Sequence, residues 1–354
     1  MANEPMSEAK VKFLCFGMGA IGTYIGGSLL LAGYPVSFIE RPEAIEKAKA
    51  NGLSLQLKDG THKIDSVMIY SSLDEALQES EYDVALVAVK SFDSVSVAET
   101  IRPYSSKFPT LLCLQNGVEN EAVYEDILGK ERIIGASIGT AVSKTGIGKI
   151  AVEKMRGIGI ESANPLSSII IQAFCDAGLN AKPYPRRLDL KWSKMLSNLL
   201  GNATSAILNM TTAQIFSDPD IYRIEVAQVH ETLAVMKKQG IHLVNLPGTP
   251  IKILIEVIDS FPQALSRPLS YLGMGKGRGG KMPSFHIDLY HGQARSEVSY
   301  LNGAVVRAGQ QLGIATPVNQ VLTETLEDLS SGKLSKEEFA GHPERLIALI
   351  QERK

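Results

Sequence analysis

Cysteine is scarce in this chain, and neither charge sign dominates. The three cysteines, Cys15, Cys113 and Cys175, stand far apart in apolar runs without metal-ligand spacing. They exclude a disulfide-stapled fold and read as small buried hydrophobes in a reducing, cytoplasmic setting. The six histidines include no H-E-x-x-H pattern, and no paired C-x-x-C occurs, so no metal site is expected. Lys and Arg number 36 against 38 Asp and Glu, a formal net charge of −2, with no block of like charge. A nucleic-acid backbone is therefore not expected as the main partner, although a local basic cluster could still hold a small anion. Internal repeats and low-complexity tracts are absent as well.

Charge is missing altogether from Phe13 to Ile39, a run long enough to cross a bilayer. It is interrupted by Gly17, Gly19, Gly22, Gly26, Gly27 and Gly33, and Pro35 follows a Gly-Tyr turn. No small-residue cleavage site follows a compact apolar core. A membrane span and a signal peptide are both set aside on those grounds. A first helix held between a parallel sheet and its neighbours explains the missing charge equally well. What is present is a globular composition, 44% hydrophobic and 21% charged. The 354 residues suffice for two domains of ordinary size.

The chain is organised around Gly17-Met18-Gly19-Ala20-Ile21-Gly22. Val11 to Phe16 reads as a buried strand before it, and Ile21, Tyr24, Ile25, Leu29 and Leu30 recur after it at helical spacing. Strand, G-x-G-x-x-G turn and helix, in that order, form the context of a dinucleotide fingerprint. Gly17 allows the tight turn, Gly19 leaves room for a pyrophosphate, and Gly22 lets the helix lie close to its strand. The first-turn N–H groups and the helix dipole then face the phosphates. The plainer reading is a glycine-rich turn that binds nothing. Val36 to Ile39 forms the next strand and ends in Glu40-Arg41, about 20 residues past the fingerprint, where the ribose is read. An acid there suits NAD and an arginine suits the extra phosphate of NADP. NADP is favoured through Arg41, against a solvated arginine at the start of the helix from Pro42.

Residues 53–56 and 64–70 look like a short β excursion around Asp59-Gly60. Asp83 to Val89 is an apolar strand ending in Lys90, and Thr110 to Gln115 another ending in Asn116-Gly117. Both polar endings fall where open α/β sheets bind ligands, so Lys90 and Asn116 are candidates for the nicotinamide end of a cofactor or for substrate. A lysine there is also an ordinary solvated helix start. Arg132 to Val142 reads as one further strand, with Lys149 to Glu153 and Gly157 to Ile160 as antiparallel additions. A helix over Ser167 to Ala177 stops at Gly178. Lys182-Pro-Tyr-Pro-Arg-Arg187 marks the boundary between a domain over residues 11–185 and one over 186–354, with residues 1–10 a frayed polar start.

Helical periodicity dominates the second half. Leu188 to Ile207 reads as one long helix with Lys194, Asn198 and Asn202 a turn apart on one face. Apolar residues cover most of its other sides, so these polar groups need partners from protein or ligand. They satisfy each other, Lys194 reaches solvent, or they meet a substrate. Further helices are expected over Asp218 to Gln239, Pro250 to Ser260, Ile287 to Leu312, and near 317–330 and 335–352. Leu272 to Lys281 is a glycine-rich loop with Lys276, Arg278 and Lys281, a solvated hinge or a lid over an anion. Ser284 follows at a helix start, and Glu297 lies one residue before an apolar stripe. The long apolar helices leave room for a second copy of the chain, a homodimer, as well as for a core.

Taken together, these residues resemble the ketopantoate reductases of the 2-dehydropantoate 2-reductase family. The resemblance rests on Gly17-x-Gly19-x-x-Gly22, Glu40-Arg41, Val89-Lys90, Gln115-Asn116-Gly117, Lys194-x-x-x-Asn198-x-x-x-Asn202, Pro283-Ser284-Phe285, Ser296-Glu297 and Leu301-Asn302-Gly303. It covers nearly the whole length. It implies an α/β N-terminal domain with a Rossmann-type parallel sheet, an all-α C-terminal domain, and NADPH as hydride donor to a small 2-oxo acid in pantothenate biosynthesis. By motif, Lys194 resembles the catalytic lysine, and Asn198, Asn202, Ser284 and Glu297 resemble substrate contacts. Arg41 resembles the residue facing the 2′-phosphate, and Lys90 and Asn116 those at the nicotinamide side. Where the family reads S-M-x-Q-D, this chain has Ser284-Phe-His-Ile-Asp288. Its interval from Asp288 to Glu297 is one residue longer, and the glycine-rich basic loop is unusual. A different 2-oxo acid, or a non-catalytic NADP-binding protein of the same fold, are the competing readings.

Overall fold

The structure, a computed structural model, describes residues 10–275 and 282–353. The expected frayed start, apart from Lys10, and the cationic residues Lys276, Arg278 and Lys281 lie outside the described residues. Two compact units divide the chain. One comprises Met1–Gln115, Asn120–Arg187 and Pro247–Thr249; the other comprises Asn116–Glu119, Leu188–Leu246 and Pro250–Lys354.

The strands of the first unit run β1 (Phe13–Phe16), β2 (Val36–Ile39), β3 (Leu53–Leu57), β4 (Gly60–Ile64), β5 (Met68–Tyr70), β6 (Val84–Val87), β7 (Thr110–Cys113), β8 (Ile133–Ile138), β9 (Ala141–Gly146), β10 (Lys149–Lys154), β11 (Ile158–Glu161) and β12 (Ala181–Tyr184). Eight form one sheet in the order β12-β11-β8-β7-β6-β1-β2-β5, and four form a second in the order β4-β3-β10-β9. Within the larger sheet the pairings from β8 through to β5 are parallel. Only β11 runs antiparallel to its neighbour β8, with β12 parallel to β11.

Strand β1 sits inside this sheet, and its side chains alternate between two cores. Phe13 and Cys15 pack with Tyr24, Phe38, Leu86 and Phe174. Leu14 and Phe16 pack with Val87, Leu111, Cys113 and Tyr124 on the opposite face. Burial on both faces is why the strand reads as an unbroken apolar run. The uncharged helix Ala20–Leu31 is explained in the same way. A β-carbon at Gly26 would stand 2.5 Å from the Phe38 ring of β2, and one at Gly27 would stand 2.8 Å from Leu55 of β3. The helix is pressed between the two sheets, and its middle, Gly22 to Leu29, is buried throughout, which leaves no place there for charge. Among the described residues no helix is long and apolar enough to cross a membrane.

Several expectations are corrected. Residues 272–275, expected as the start of a loop, instead complete the π-helical turn Tyr271–Gly275. Residues 132–142 are not one strand: the chain breaks between β8 and β9, which belong to different sheets. There the Gly139 N–H donates to the Gly157 carbonyl at 2.8 Å, and Thr140 Oγ1 accepts from the N–H groups of Arg156 and Gly157 at 3.1 and 3.0 Å. Met68–Tyr70 does not extend the β excursion but pairs with β2 at the edge of the main sheet. The stretch 287–312 is not one helix; it divides into the end of Ser284–Tyr290, the 3-10 turn Glu297–Tyr300 and Asn302–Leu312. Cys175 is exposed, whereas Cys15 and Cys113 are buried.

The second unit is helical, and its long first helix is shorter than the periodicity suggests. Arg187–Leu199 ends before Gly201, and Ala203–Leu208 begins anew after Asn202. Gly201 has φ +64°, a left-handed conformation that glycine adopts without strain. Its N–H donates to Glu225 at 2.7 Å. Fully buried Glu225 also accepts from Thr204 Oγ1 at 2.6 Å and Gln228 Nε2 at 2.7 Å. A carboxylate from Pro219–Lys238 thus holds the break in place, since losing these donors would leave a buried charge unpaired.

Candidate functional site

In the first unit the three fingerprint glycines differ in what they do. Gly17, at φ +92°, makes the turn after β1 and donates its N–H to the Ile39 carbonyl of β2 at 3.0 Å. A β-carbon on Gly22 would lie 1.9 Å from the Gly17 carbonyl oxygen, so helix and turn touch backbone to backbone. A β-carbon on Gly19 would meet nothing within 4 Å. That open side lies at the N-terminus of helix Ala20–Leu31, where first-turn N–H groups lack partners inside the helix. Ala20 and Ile21 offer backbone groups there. Met18 is committed inward instead: its side chain is buried, and its N–H donates to Glu40 Oε2 at 2.7 Å. Beneath the turn, burial first and the Glu40 charge second raise the pKa of Cys15 and keep it a neutral thiol.

Glu40 and Arg41, adjacent in sequence, are turned to different tasks. Glu40 ties the end of β2 to the glycine turn, accepting from Met18 N–H with one oxygen and from Arg41 N–H with the other at 2.8 Å. The Arg41 side chain is 75% exposed, with its guanidinium 3.4 Å from Asp93 Oδ2. A surface contact of that length adds little to stability and leaves the fork accessible to an anion.

Beyond β6, Lys90 is exposed and opens the 3-10 turn Ser91–Asp93. Its carbonyl accepts from Gln115 Nε2 at 3.3 Å. Behind it lies a buried polar network that sequence reasoning missed. Gln115 donates to Ser94 Oγ at 2.9 Å, Ser94 to Asn120 Oδ1 at 2.8 Å, Asn120 to Ser91 Oγ at 3.3 Å, and Tyr124 OH to Gln115 Oε1 at 3.0 Å. Burial pushes the Tyr124 phenol above its ordinary range, so it acts as a donor. The only sequence sign was a glutamine closing an apolar strand.

In the second unit, Lys194 and Asn198 stand one turn apart on Arg187–Leu199, both half-buried. The helix is anchored by Asp189, which accepts from the His242 N–H at 2.9 Å, and by Ser193, which accepts from the Val244 N–H at 2.9 Å. Asn198 Nδ2 donates to Asn116 Oδ1 at 3.3 Å. Asn202 does not share their helix, because the break at Gly201 turns it elsewhere. It is 4% exposed, accepts from the Phe285 N–H at 3.1 Å, and donates to Ser284 Oγ at 3.4 Å. Ser284 itself is exposed. Glu297, buried, opens the turn Glu297–Tyr300. Arg307, unnoticed in the sequence, grips Glu119 with Nε at 3.0 Å and with a second nitrogen. It also donates to the Ser299 carbonyl at 2.8 Å, so one guanidinium links the Asn116–Glu119 segment to the Glu297 turn. The structure therefore joins Asn198 to Asn116 and Asn202 to Ser284. Among the described residues no cluster of three or more acids, histidines or cysteines could hold a metal.

Comparison with known proteins adds two family models and several relatives. The model described as "Ketopantoate reductase PanE/ApbA" matches residues 13–165, and its C-terminal counterpart matches residues 188–330. A protein of Archaeoglobus fulgidus named 2-dehydropantoate 2-reductase is 24% identical over 322 residues, spanning 89% of this chain and 97% of that protein. The crystal structure of a PanE/ApbA family ketopantoate reductase from Ralstonia eutropha JMP134 is similar, with a TM-score of 0.77 at 26% identity over 91% of this chain and 99% of that one. A D-mandelate dehydrogenase solved with NADH and anilino(oxo)acetate shares the fold, with a TM-score of 0.75 at 20% identity over 90% of this chain and 98% of that one.

The glycine geometry separates two substitutions. Gly22→Ala drives a methyl into the Gly17 carbonyl and should cost at least the about 1–3 kcal/mol of ordinary overpacking, lowering Tm by several degrees. Gly19→Ala, whose backbone is extended and whose surroundings are open, should leave Tm within about 2 °C of wild type. Thermal unfolding of both variants checks this; equal Tm values would contradict it.

Proposed function

The chain belongs to the ketopantoate reductase family, and on that premise we propose that it reduces a small 2-oxo acid with NADPH, converting 2-dehydropantoate to pantoate for pantothenate synthesis. The observation that carries this reading is the glycine turn. Two of its glycines are required by the turn's own geometry, while the third leaves a clear approach to a helix N-terminus, as a pyrophosphate requires. NADPH rather than NADH is supported by the pair after β2. The Glu40 carboxylate, which would otherwise meet ribose hydroxyls, is engaged by two backbone N–H groups, and the Arg41 guanidinium is exposed to a 2′-phosphate.

NADPH supplies the hydride when bound. The protein must meet the negative charge that grows on the carbonyl oxygen. Lys194 is the residue assigned to this: its ammonium stabilises that oxygen and then gives it a proton. Asn198, paired with Asn116, donates to the substrate's polar groups. Ser284 donates to the carboxylate, Asn202 holds Ser284, and Glu297 accepts from a substrate hydroxyl. Lys90 and Asn116 serve the nicotinamide side. The same chemistry on another 2-oxo acid is the second reading, favoured by the departure from the family run after Ser284.

Lys194→Ala should lower kcat by about 10²–10⁴-fold while the NADPH Kd, read by fluorescence titration, stays close to wild type. Undiminished turnover with cofactor still bound would remove Lys194 from the chemistry. Arg41→Ala should raise the KM for NADPH about 10- to 100-fold, the value of a charged hydrogen bond, and leave the KM for NADH unchanged. Steady-state rates with both cofactors measure this; equal use of the two cofactors by the unmodified protein would overturn the NADPH assignment.

A further inference from the structure

Helix Ser284–Tyr290 has only 7 residues, too few to be stable through its own hydrogen bonds. Its place is set by what grips it from outside, and it presents Ser284. Three side-chain grips converge on it. Asn202 holds its start through the Phe285 N–H and Ser284 Oγ. His286 Nε2 lies 2.7 Å from Asn209 Oδ1. Lys336 donates to the Leu289 carbonyl at 2.9 Å and lies 5.2 Å from the Tyr290 ring centroid. Asn202 and Asn209 are the two ends of one short helix, Ala203–Leu208, as its N-cap and C-cap. Asn209 has φ +51°, a left-handed conformation that asparagine tolerates better than most residues. The His286 ring stacks on Tyr290 one turn further along, with centroids 4.2 Å apart and planes 17° apart. Burial, with the nearby His291 second, lowers the pKa of His286 and favours a neutral ring in that stack. In the family run S-M-x-Q-D this histidine fills the unspecified position, and the departures are its neighbours Phe285 and Ile287.

We propose that His286 is a positioning residue for substrate recognition: by gripping Asn209 it fixes where the Ser284 hydroxyl stands, and so how well the carboxylate of the keto acid is met. The inference rests on Ser284 being the carboxylate contact of the reading above. His286 touches no reacting atom. Its effect belongs to the affinity for the keto acid and not to the hydride step or to cofactor binding.

The test uses the full-length protein with 2-dehydropantoate as probe. It measures KM, kcat and the NADPH Kd for wild type, Ser284→Ala, His286→Ala, His286→Gln, Asn209→Gly and the Ser284→Ala/His286→Ala double variant. Asn209→Gly removes the acceptor while keeping a residue at ease with the left-handed backbone, so it reports on the hydrogen bond even if His286→Ala folds poorly. His286→Ala and Asn209→Gly should each raise KM about 3- to 10-fold, the range of one hydrogen bond, with kcat within about twofold and the NADPH Kd unchanged. His286→Gln should recover part of the loss. The double variant should have the KM of Ser284→Ala alone, because the position of a missing hydroxyl cannot matter. Unchanged KM in both His286→Ala and Asn209→Gly, or full additivity in the double variant, overturns the proposal. If Ser284→Ala itself leaves KM unchanged, the carboxylate assignment fails and the proposal falls with it.

Discussion

The Gly17 carbonyl oxygen stands where a side chain on residue 22 would begin, 1.9 Å from that β-carbon. This contact sets how closely helix Ala20–Leu31 approaches β1. The same closeness continues along the helix at Gly26 and Gly27, which rest on Phe38 and Leu55, so the buried middle of the helix has no room for a charged side chain. With the helix fixed, its N-terminus is aimed past Gly19 into open space. Glu40 reinforces the arrangement from the other side by tying the end of β2 to the turn. The turn is thus set by backbone packing, with one side-chain carboxylate, Glu40, bonded to it.

In the second unit a buried carboxylate plays the organising part. Glu225 gathers the N–H of Gly201 and the Thr204 hydroxyl, where one helix ends and the next begins. The break separates the polar groups. Lys194 and Asn198 stay together on the first helix, while Asn202 goes to the start of Ser284–Tyr290. A straight helix would have put all three on one face. The break gives the unit two polar pairs, Asn198 with Asn116 and Asn202 with Ser284.

Much of this was legible in the sequence, for identifiable reasons. The β1 run, the glycine spacing and the helical repeat after it are local signals, and burial on both faces leaves a continuous apolar run that is hard to misread. Breaks inside periodic stretches were not legible. Gly201 sits in a helical pattern, and a single glycine there is tolerated often enough to be passed over. What turns it into a break is Glu225, 24 residues away. Gly139 ends β8 for a similar reason, since the partner that receives its N–H is Gly157. The orientation of Glu40 relative to Arg41 and the Ser91–Ser94–Gln115–Asn120 network were equally hidden, because hydrogen bonds between distant positions leave no mark on spacing. Motif resemblance brought forward the residues that periodicity could not single out, Glu297 and Ser284 among them.

In the function proposed above, the hydride acceptor is a 2-oxo acid and Glu297 accepts from its hydroxyl. The most direct measurement follows NADPH absorbance with the purified protein and a panel of branched 2-oxo acids that differ only in carrying or lacking that hydroxyl, 2-dehydropantoate among them. The account predicts NADPH oxidation that requires the keto acid, with kcat/KM at least about tenfold higher for hydroxylated members, since a site built to bond a hydroxyl rejects its deoxy analogue. NADPH that binds but is oxidised no faster with any keto acid than without one would contradict it.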